Sequence, residues 1–304
     1  MDINELIRRY ERGERNFAGA DLRSIDLSGA MLVDINLENA NLTGANLSRA
    51  FLTKANLSGA FLNWANLQFT KLSEGCLIDT DLTKAKLNGA FMVKSDLTRS
   101  RLSGADLSHA NLRGATLHRA NLCSAKLLNV NLRGANLQGA NLSWANLQSA
   151  RLSGAILQGA FLNDTNLADA FLNGVDLEGL NLAGINLSAA KLSGANLQSA
   201  NLAASNFRNA KLQGANLAGA DLTDANLEQA FLHSANLQWT NLSRANLARS
   251  DLTNVKMLGV KIDQANLSEA MLSEMNSRYL LLVADQNLQK MQRSALPQHS
   301  PGGS

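Results

Sequence analysis

Proline occurs only twice in this chain of 304 residues, cysteine only twice, and aromatic residues make up just 5%. Two cysteines, Cys76 and Cys123, cannot staple so long a chain into a disulfide framework, so a reducing compartment is expected. So few aromatics exclude a core assembled from large, individually shaped side chains. Charge of one sign is also lacking: 28 basic and 25 acidic residues leave a formal net charge of +3. That balance argues against unspecific binding to nucleic acid or an anionic membrane through total charge. Residues 1–16 carry charges throughout, with no apolar run of signal-peptide length. The longest apolar stretch, Tyr279 to Ala284, is far too short to span a bilayer. A cytoplasmic protein without a membrane segment is expected.

The chemistry of common enzymes is missing as well. No nucleophile elbow, phosphate-binding loop or dinucleotide fingerprint occurs. His109, His118, His233 and His299 are scattered, and His118 and Cys123 fall on adjacent faces without a third ligand beside them. The expectation is a non-catalytic protein with no cofactor and no metal.

What the chain does contain is a period. From Phe17 to Leu272 an apolar residue recurs every fifth position, 52 times without an insertion; the departures from Leu are Phe17, Met92, Phe207, Met257 and Ile262. Two residues before each centre stands a small residue, Ala at 34 of the 51 positions from Ala20 to Ala270. Between them lies mostly Asn or Asp, as in Ala40-Asn41-Leu42. A five-residue period fits neither a helix nor a long strand. Within the triplet, however, apolar–polar–apolar is strand alternation, which sends the small residue and Leu to one side and Asn or Asp to the other. The remaining two residues have turn chemistry. Each repeat is thus a minimal strand and a corner, and a single repeat cannot bury its apolar side alone. The repeats must wind into a solenoid.

This run of A-(N/D)-L-x-x units resembles the pentapeptide repeat family over nearly nine-tenths of the chain. The segment Glu11-Arg-Gly-Glu-Arg-Asn-Phe17 is similar to the lead-in of cyanobacterial members. The resemblance implies an all-β, right-handed quadrilateral β-helix with four repeats per coil. The residues offer their own check: Gly114, Gly134, Gly154, Gly174, Gly194 and Gly214 recur at one turn position once in every four repeats. Fifty-two repeats then make about 13 coils, a rod roughly 60 Å long at about 4.8 Å per strand spacing. Val175, Leu180 and Ile185 in succession at the small site should widen the coil and disturb it locally without opening a pocket.

Both ends of such a rod need covering. The sequence divides into an N-terminal capping helix (1–15), the β-helix (16–275), a C-terminal helix (276–294) and a disordered tail (295–304). Asp2 with Glu5 reads as a capping box, Ile3, Leu6, Ile7 and Tyr10 form an apolar stripe, and Gly13 ends the helix. At the other end a helix is expected to begin at Asn276 or Ser277, with Leu281, Ala284, Leu288 and Met291 forming a seam. That seam suits either a cap on the last coil or a homodimer contact, so the chain is expected to be a monomer or a C-terminal homodimer.

Function must then lie on the surface. Mapped on four faces, the charges are near balance except on the face beginning at Met31, which carries eight basic and four acidic residues. Between Asn111 and Gly214 that face holds Arg113, Arg133, Arg151, Lys191 and Lys211 and no acid. It also presents Phe51, Phe91, Phe171 and Phe231 at the outward Asn/Asp position. Basic side chains around exposed aromatics have the composition of a binding hot spot. The expectation is a scaffold or regulator that docks an unidentified protein partner there. Some acidic relatives mimic DNA to modulate a topoisomerase, but such mimicry needs a strongly negative surface, and no face here exceeds a net charge of −2. Direct nucleic-acid binding would rest on five cations over six coils, without stacking aromatics in a groove.

Overall fold

The computed structural model describes residues 1–282. Its organising relation is a parallel pairing of residue i with residue i+20, beginning at Asn16↔Asn36 and Asp21↔Asn41 and continuing to Asn246↔Asn266. The same relation joins β1 (Asp251–Leu252) to β2 (Met271–Leu272), in register Asp251↔Met271. Four repeats therefore complete one coil, and each repeat contributes one rung to one of four faces.

The backbone bonds show why five residues suffice. Phe61 donates its N–H to Ala40 O at 2.9 Å and accepts from Leu42 N at 2.8 Å, the two bonds of a parallel bridge. The corner closes on itself, Ala45 N donating to Leu42 O at 2.9 Å. Its fifth residue takes a left-handed conformation at Gly44 (φ 66°), and also at Arg49 (φ 58°) and Trp64 (φ 63°). That backbone costs a non-glycine residue about 1–2 kcal/mol, and the corner's N–H offsets part of it by bonding the next coil, as in Arg49 N→Gln68 O at 2.8 Å.

The polar position proves to be structural. Asn46 Oδ1 accepts the N–H of Ser48 two residues on (3.2 Å), holding the turn. The same oxygen accepts from Asn66 Nδ2 one coil later (3.1 Å). Asn166 bonds Asn146 in this way, and Asn186 bonds Asn166, each at 3.1 Å. Most outward Asn residues are thus half-buried rungs of an amide ladder rather than free surface, which an outward-pointing assignment alone does not reveal. Each amide donates toward the preceding coil. Aspartate can only accept, and it serves as the first rung where Asn46 bonds Asp26 (2.9 Å) or Asn196 bonds Asp176 (2.9 Å).

Inside, the column of Leu and Ala is dry: Leu27, Leu87, Leu147 and Leu212 are fully buried. Hydroxyls at the small site are buried but bonded. Thr80 donates to Leu57 O at 2.7 Å and Thr165 to Leu142 O at 2.8 Å. Ser100 Oγ is the exception among the described residues, buried without a partner.

The expected irregularity is present. The rungs Ile156↔Asp176 and Phe161↔Asn181 are missing, while Arg151↔Phe171 and Asn166↔Asn186 on the other two faces are made. Val175 and, larger, Leu180 stand in succession over Ala155 and Ala160 on the side where the rungs are missing. The break is a wedge: closed on the Met31 side, open opposite.

At the N-terminus α1 (Ile3–Glu11) is capped by Asp2, whose carboxylate accepts from Glu5 N at 2.8 Å. Leu6 is fully buried, Ile7 and Tyr10 lie against the first coils, and Tyr10 Oη donates to Val33 O at 2.8 Å. Ile3, expected in the apolar stripe, is exposed. The C-terminal helix begins earlier than expected. Residues 274–282 are helical, and Ser273 Oγ takes the capping role by accepting from Asn276 N (3.4 Å). Asn276 is instead buried and donates to Val255 O at 3.1 Å. Leu281 is exposed on this helix. Ala284, Leu288, Met291, the rest of the expected helix and the tail lie outside the described residues. No helix among the described residues is long and apolar enough to cross a membrane.

Candidate functional face

On the Met31 face the amide ladder is largely replaced. Its rungs run Met31, Phe51, Lys71, Phe91, Asn111, Asn131, Arg151, Phe171, Lys191, Lys211, Phe231, Asp251 and Met271. Only Asn131 and Asn111 keep the amide bond, at 3.1 Å. At two places on this face a lysine lies over the aromatic ring of a neighbouring rung. Lys71 Nζ lies 3.3 Å from the centre of the Phe91 ring, and Lys191 Nζ lies 3.6 Å from that of Phe171. The ring's negative face attracts the ammonium, and the lysine stem covers the ring edge.

The site residues named from sequence fall into two groups. Phe51, Phe91 and Phe231 are exposed, as are Arg113, Arg133, Arg151 and Lys211. Phe171 and Lys191 are half-buried against each other, so Phe171 does not stand out as an open apolar anchor. Arg113 and Arg133 occupy turn positions beside Asn111 and Asn131 rather than rungs.

Charge is distributed unevenly between faces. Away from this strip, several arginines meet carboxylates one coil away: Arg99–Asp79 at 2.5 Å, Arg101–Asp81 at 3.2 Å, Arg244–Asp224 at 2.7 Å and Arg249–Glu269 at 3.0 Å. The guanidinium partners hold the Asp79, Asp224 and Glu269 carboxyls below their ordinary range, chiefly by hydrogen bonding. Among the described residues, Arg113, Arg133, Arg151, Lys191 and Lys211 join no such pair.

The aromatic corners escaped the sequence reading. Trp64, Trp144, Trp239 and Phe69 occupy the left-handed fifth position and are exposed. The signal was a large aromatic in the turn half of the repeat. Trp239 and Phe69 lie over the glycines one coil on: a Cβ on Gly259 would fall 2.2 Å from the Trp239 ring, and one on Gly89 2.5 Å from that of Phe69. Cys76 and Cys123 are unbonded to each other and half-buried. Among the described residues no cluster of three or more His, Cys, Asp or Glu side chains comes together as a cation would require.

The coil of four repeats per turn, its amide ladders and its two-residue corners define a solenoid built from one short repeat. The family described as pentapeptide repeats matches in overlapping stretches from residue 20 to residue 269, among them 20–59, 76–114, 115–154 and 232–269. The chain belongs to the pentapeptide repeat family, and its coil is accordingly a right-handed β-helix. Among solved structures it is similar to HetL, a pentapeptide repeat protein involved in heterocyst differentiation regulation from the cyanobacterium Nostoc sp. strain PCC 7120. The identity is 30%, over 90% of this chain and 98% of that one, with a TM-score of 0.42. A pentapeptide repeat protein of the Arabidopsis thaliana thylakoid lumen is 30% identical over 36% of this chain and 76% of its own, with a TM-score of 0.24. QnrB1, a plasmid-mediated fluoroquinolone resistance protein, is 19% identical over 71% of this chain and 88% of its own, with a TM-score of 0.31. No curated protein sequence matches the chain.

Proposed function

We propose that this protein is a non-catalytic scaffold or regulator, a rod of about 13 coils that docks a protein partner along its Met31 face. The observation that carries this reading is the strip of five cations from Arg113 to Lys211 on a face that carries no acidic residue between Asn111 and Gly214, whereas Arg99, Arg244 and Arg249 on other faces each meet a carboxylate one coil away. The face has also given up most of its amide ladder for Phe, Lys and Arg rungs, two of the lysines lying over phenylalanine rings, which exchanges turn-holding hydrogen bonds for binding chemistry. Electrostatic complementarity of this kind sets partner choice and encounter rate more than raw affinity.

The test is affinity capture from the native lysate with Phe171→Ala, Arg151→Glu and Lys191→Glu combined. The expected result is loss of the principal captured protein with the thermal transition kept. A control carrying Arg49→Glu and Arg119→Glu, exposed arginines on two other faces, should retain it. Capture at equal yield by the triple variant would overturn the assignment of the face.

A further inference from the structure

Resting on that reading of the face, we infer the shape and chemistry of what it binds: an acidic helix lying along the rod axis, with one helical turn over each coil. The strip itself supplies the charge argument. Arg151, Phe171, Lys191 and Lys211 are consecutive rungs, so Lys191 and Lys211 occupy paired positions about 4.8 Å apart at the backbone, the Lys191 ammonium leaning back onto the Phe171 ring. Like charges so placed destabilise a sheet. The nearest relief inside the fold, a carboxylate one coil away, is supplied to Arg99, Arg244 and Arg249 but not here. A row of carboxylates from outside would relieve all five cations together.

The spacing argues for a helix. From Arg113 to Lys211 the strip spans five rung spacings, about 24 Å, which a helix crosses in about 16 residues. A helical turn of about 5.4 Å stays nearly in step with rungs about 4.8 Å apart, so carboxylates at i, i+4 and i+7 meet the coils of Arg113, Arg133 and Arg151, a side chain at i+11 falls near the Phe171 rung, and one at i+14 falls near Lys191. An extended segment presents same-side residues about 6.8 Å apart and falls out of step within two coils. It also has no edge to join, because the rungs from Asn111 to Phe231 on this face are all made.

The flank of the strip leaves room for such a partner. Gly114 to Gly214 form the corner beside it, and a Cβ on Gly134, Gly174, Gly194 or Gly214 would meet nothing within 4 Å. Their left-handed backbone does not demand glycine either, since Arg49, Trp144 and Gln229 adopt it at φ 58°. Unlike Gly89 and Gly259, which lie beneath aromatic rings, these four glycines leave open space beside the strip, so only the backbone preference and not a steric contact holds the corner bare.

The experiment uses the full chain and three fluorescent probes at low salt. The first is a capped Ala/Glu peptide of that helical length with its glutamates on one face; the second has the same composition scrambled; the third is a duplex oligonucleotide. The facial peptide is expected to bind at least tenfold more tightly than the scrambled one. That binding should fall at least tenfold with Arg151→Glu, Lys191→Glu and Lys211→Glu combined, and several-fold with Gly174→Gln, each variant keeping its thermal transition. Equal binding of the two peptides, indifference to the charge reversals or to Gly174→Gln, or tighter binding of the duplex would each overturn the inference. If lysate capture still depended on this face while the two peptides bound alike, the docking face would stand and the helical acidic partner would fall.

Discussion

Lys191 holds its ammonium 3.6 Å from the centre of the Phe171 ring, on the rung directly preceding its own. Each side chain is ordered by the other, and neither is the free group that its outward position implies. A double-mutant cycle with Lys191→Ala and Phe171→Ala should therefore give a coupling of about 0.5–1 kcal/mol in chemical denaturation. Additive effects would show that the stacked pair contributes nothing.

The contrast between inside and outside is testable at neighbouring residues. Leu147 is fully buried, and Leu147→Asp should abolish soluble folding because it places an unpaired charge in a dry column. Asn146 accepts from Gln148 N at 3.1 Å and from Asn166 Nδ2 at 3.1 Å. Asn146→Ser should accordingly cost about 1 kcal/mol rather than nothing. A soluble Leu147→Asp protein with an unchanged melting temperature would refute the buried assignment.

The wedge between the coils at 156–161 and 176–181 should be the first place the rod opens. Amide hydrogens of Leu157 and Leu162, which lack the cross-coil bonds made by Leu152 and Leu167, should exchange faster than those two. Leu180→Ala removes the bulk over Ala160 and should slow exchange at Leu162 toward that of Leu167. Uniform protection across all four amides would contradict the wedge.

Acid should loosen the surface pairs in a defined window. Arg23 donates to Asp21 at 2.8 and 2.6 Å and pulls that carboxyl from 3.8 to about 2, with Asp79, Asp224 and Glu269 lowered by their own arginines. Because the folded values are depressed, the stabilisation is present above the ordinary carboxylate range and is lost as pH falls through it toward 2. Melting temperature should be flat from pH 7 to pH 5 and decline below pH 4, with a smaller decline in Arg23→Ala. The pairs are exposed, so each effect is small. A flat profile down to pH 2 would count against them.

Much of this fold was legible because its rules are local. The apolar centre, the small residue two before it and the turn pair repeat in phase, so Leu147 could be placed inside from its position alone. The wedge was legible too, since Val175, Leu180 and Ile185 break the small-residue rule in one place. What escaped depends on contacts between one coil and the next. The donation from Asn66 to Asn46, the covering of Phe171 by Lys191 and the approach of Trp239 to Gly259 require knowing which rotamer meets which across a rung. The start of the C-terminal helix was misplaced because Asn276 and Ser273 both have capping chemistry, and the demand of Val255 O for a donor decided between them.

The pairing of i with i+20 makes this protein a ruler with a fixed graduation. Inserting or removing four whole repeats lengthens or shortens it by one rung spacing and leaves every downstream side chain on the side it occupied before. Inserting a single repeat preserves each corner and each buried leucine, yet rotates everything beyond the insertion by a quarter turn. Placed between Arg133 and Arg151, it would move Arg151, Lys191 and Lys211 off the face that carries Arg113 and Arg133. Hydrophobic burial tolerates both changes equally. Any selection that keeps the cations in line therefore acts on the count of repeats in fours, a constraint that the repeat itself does not impose.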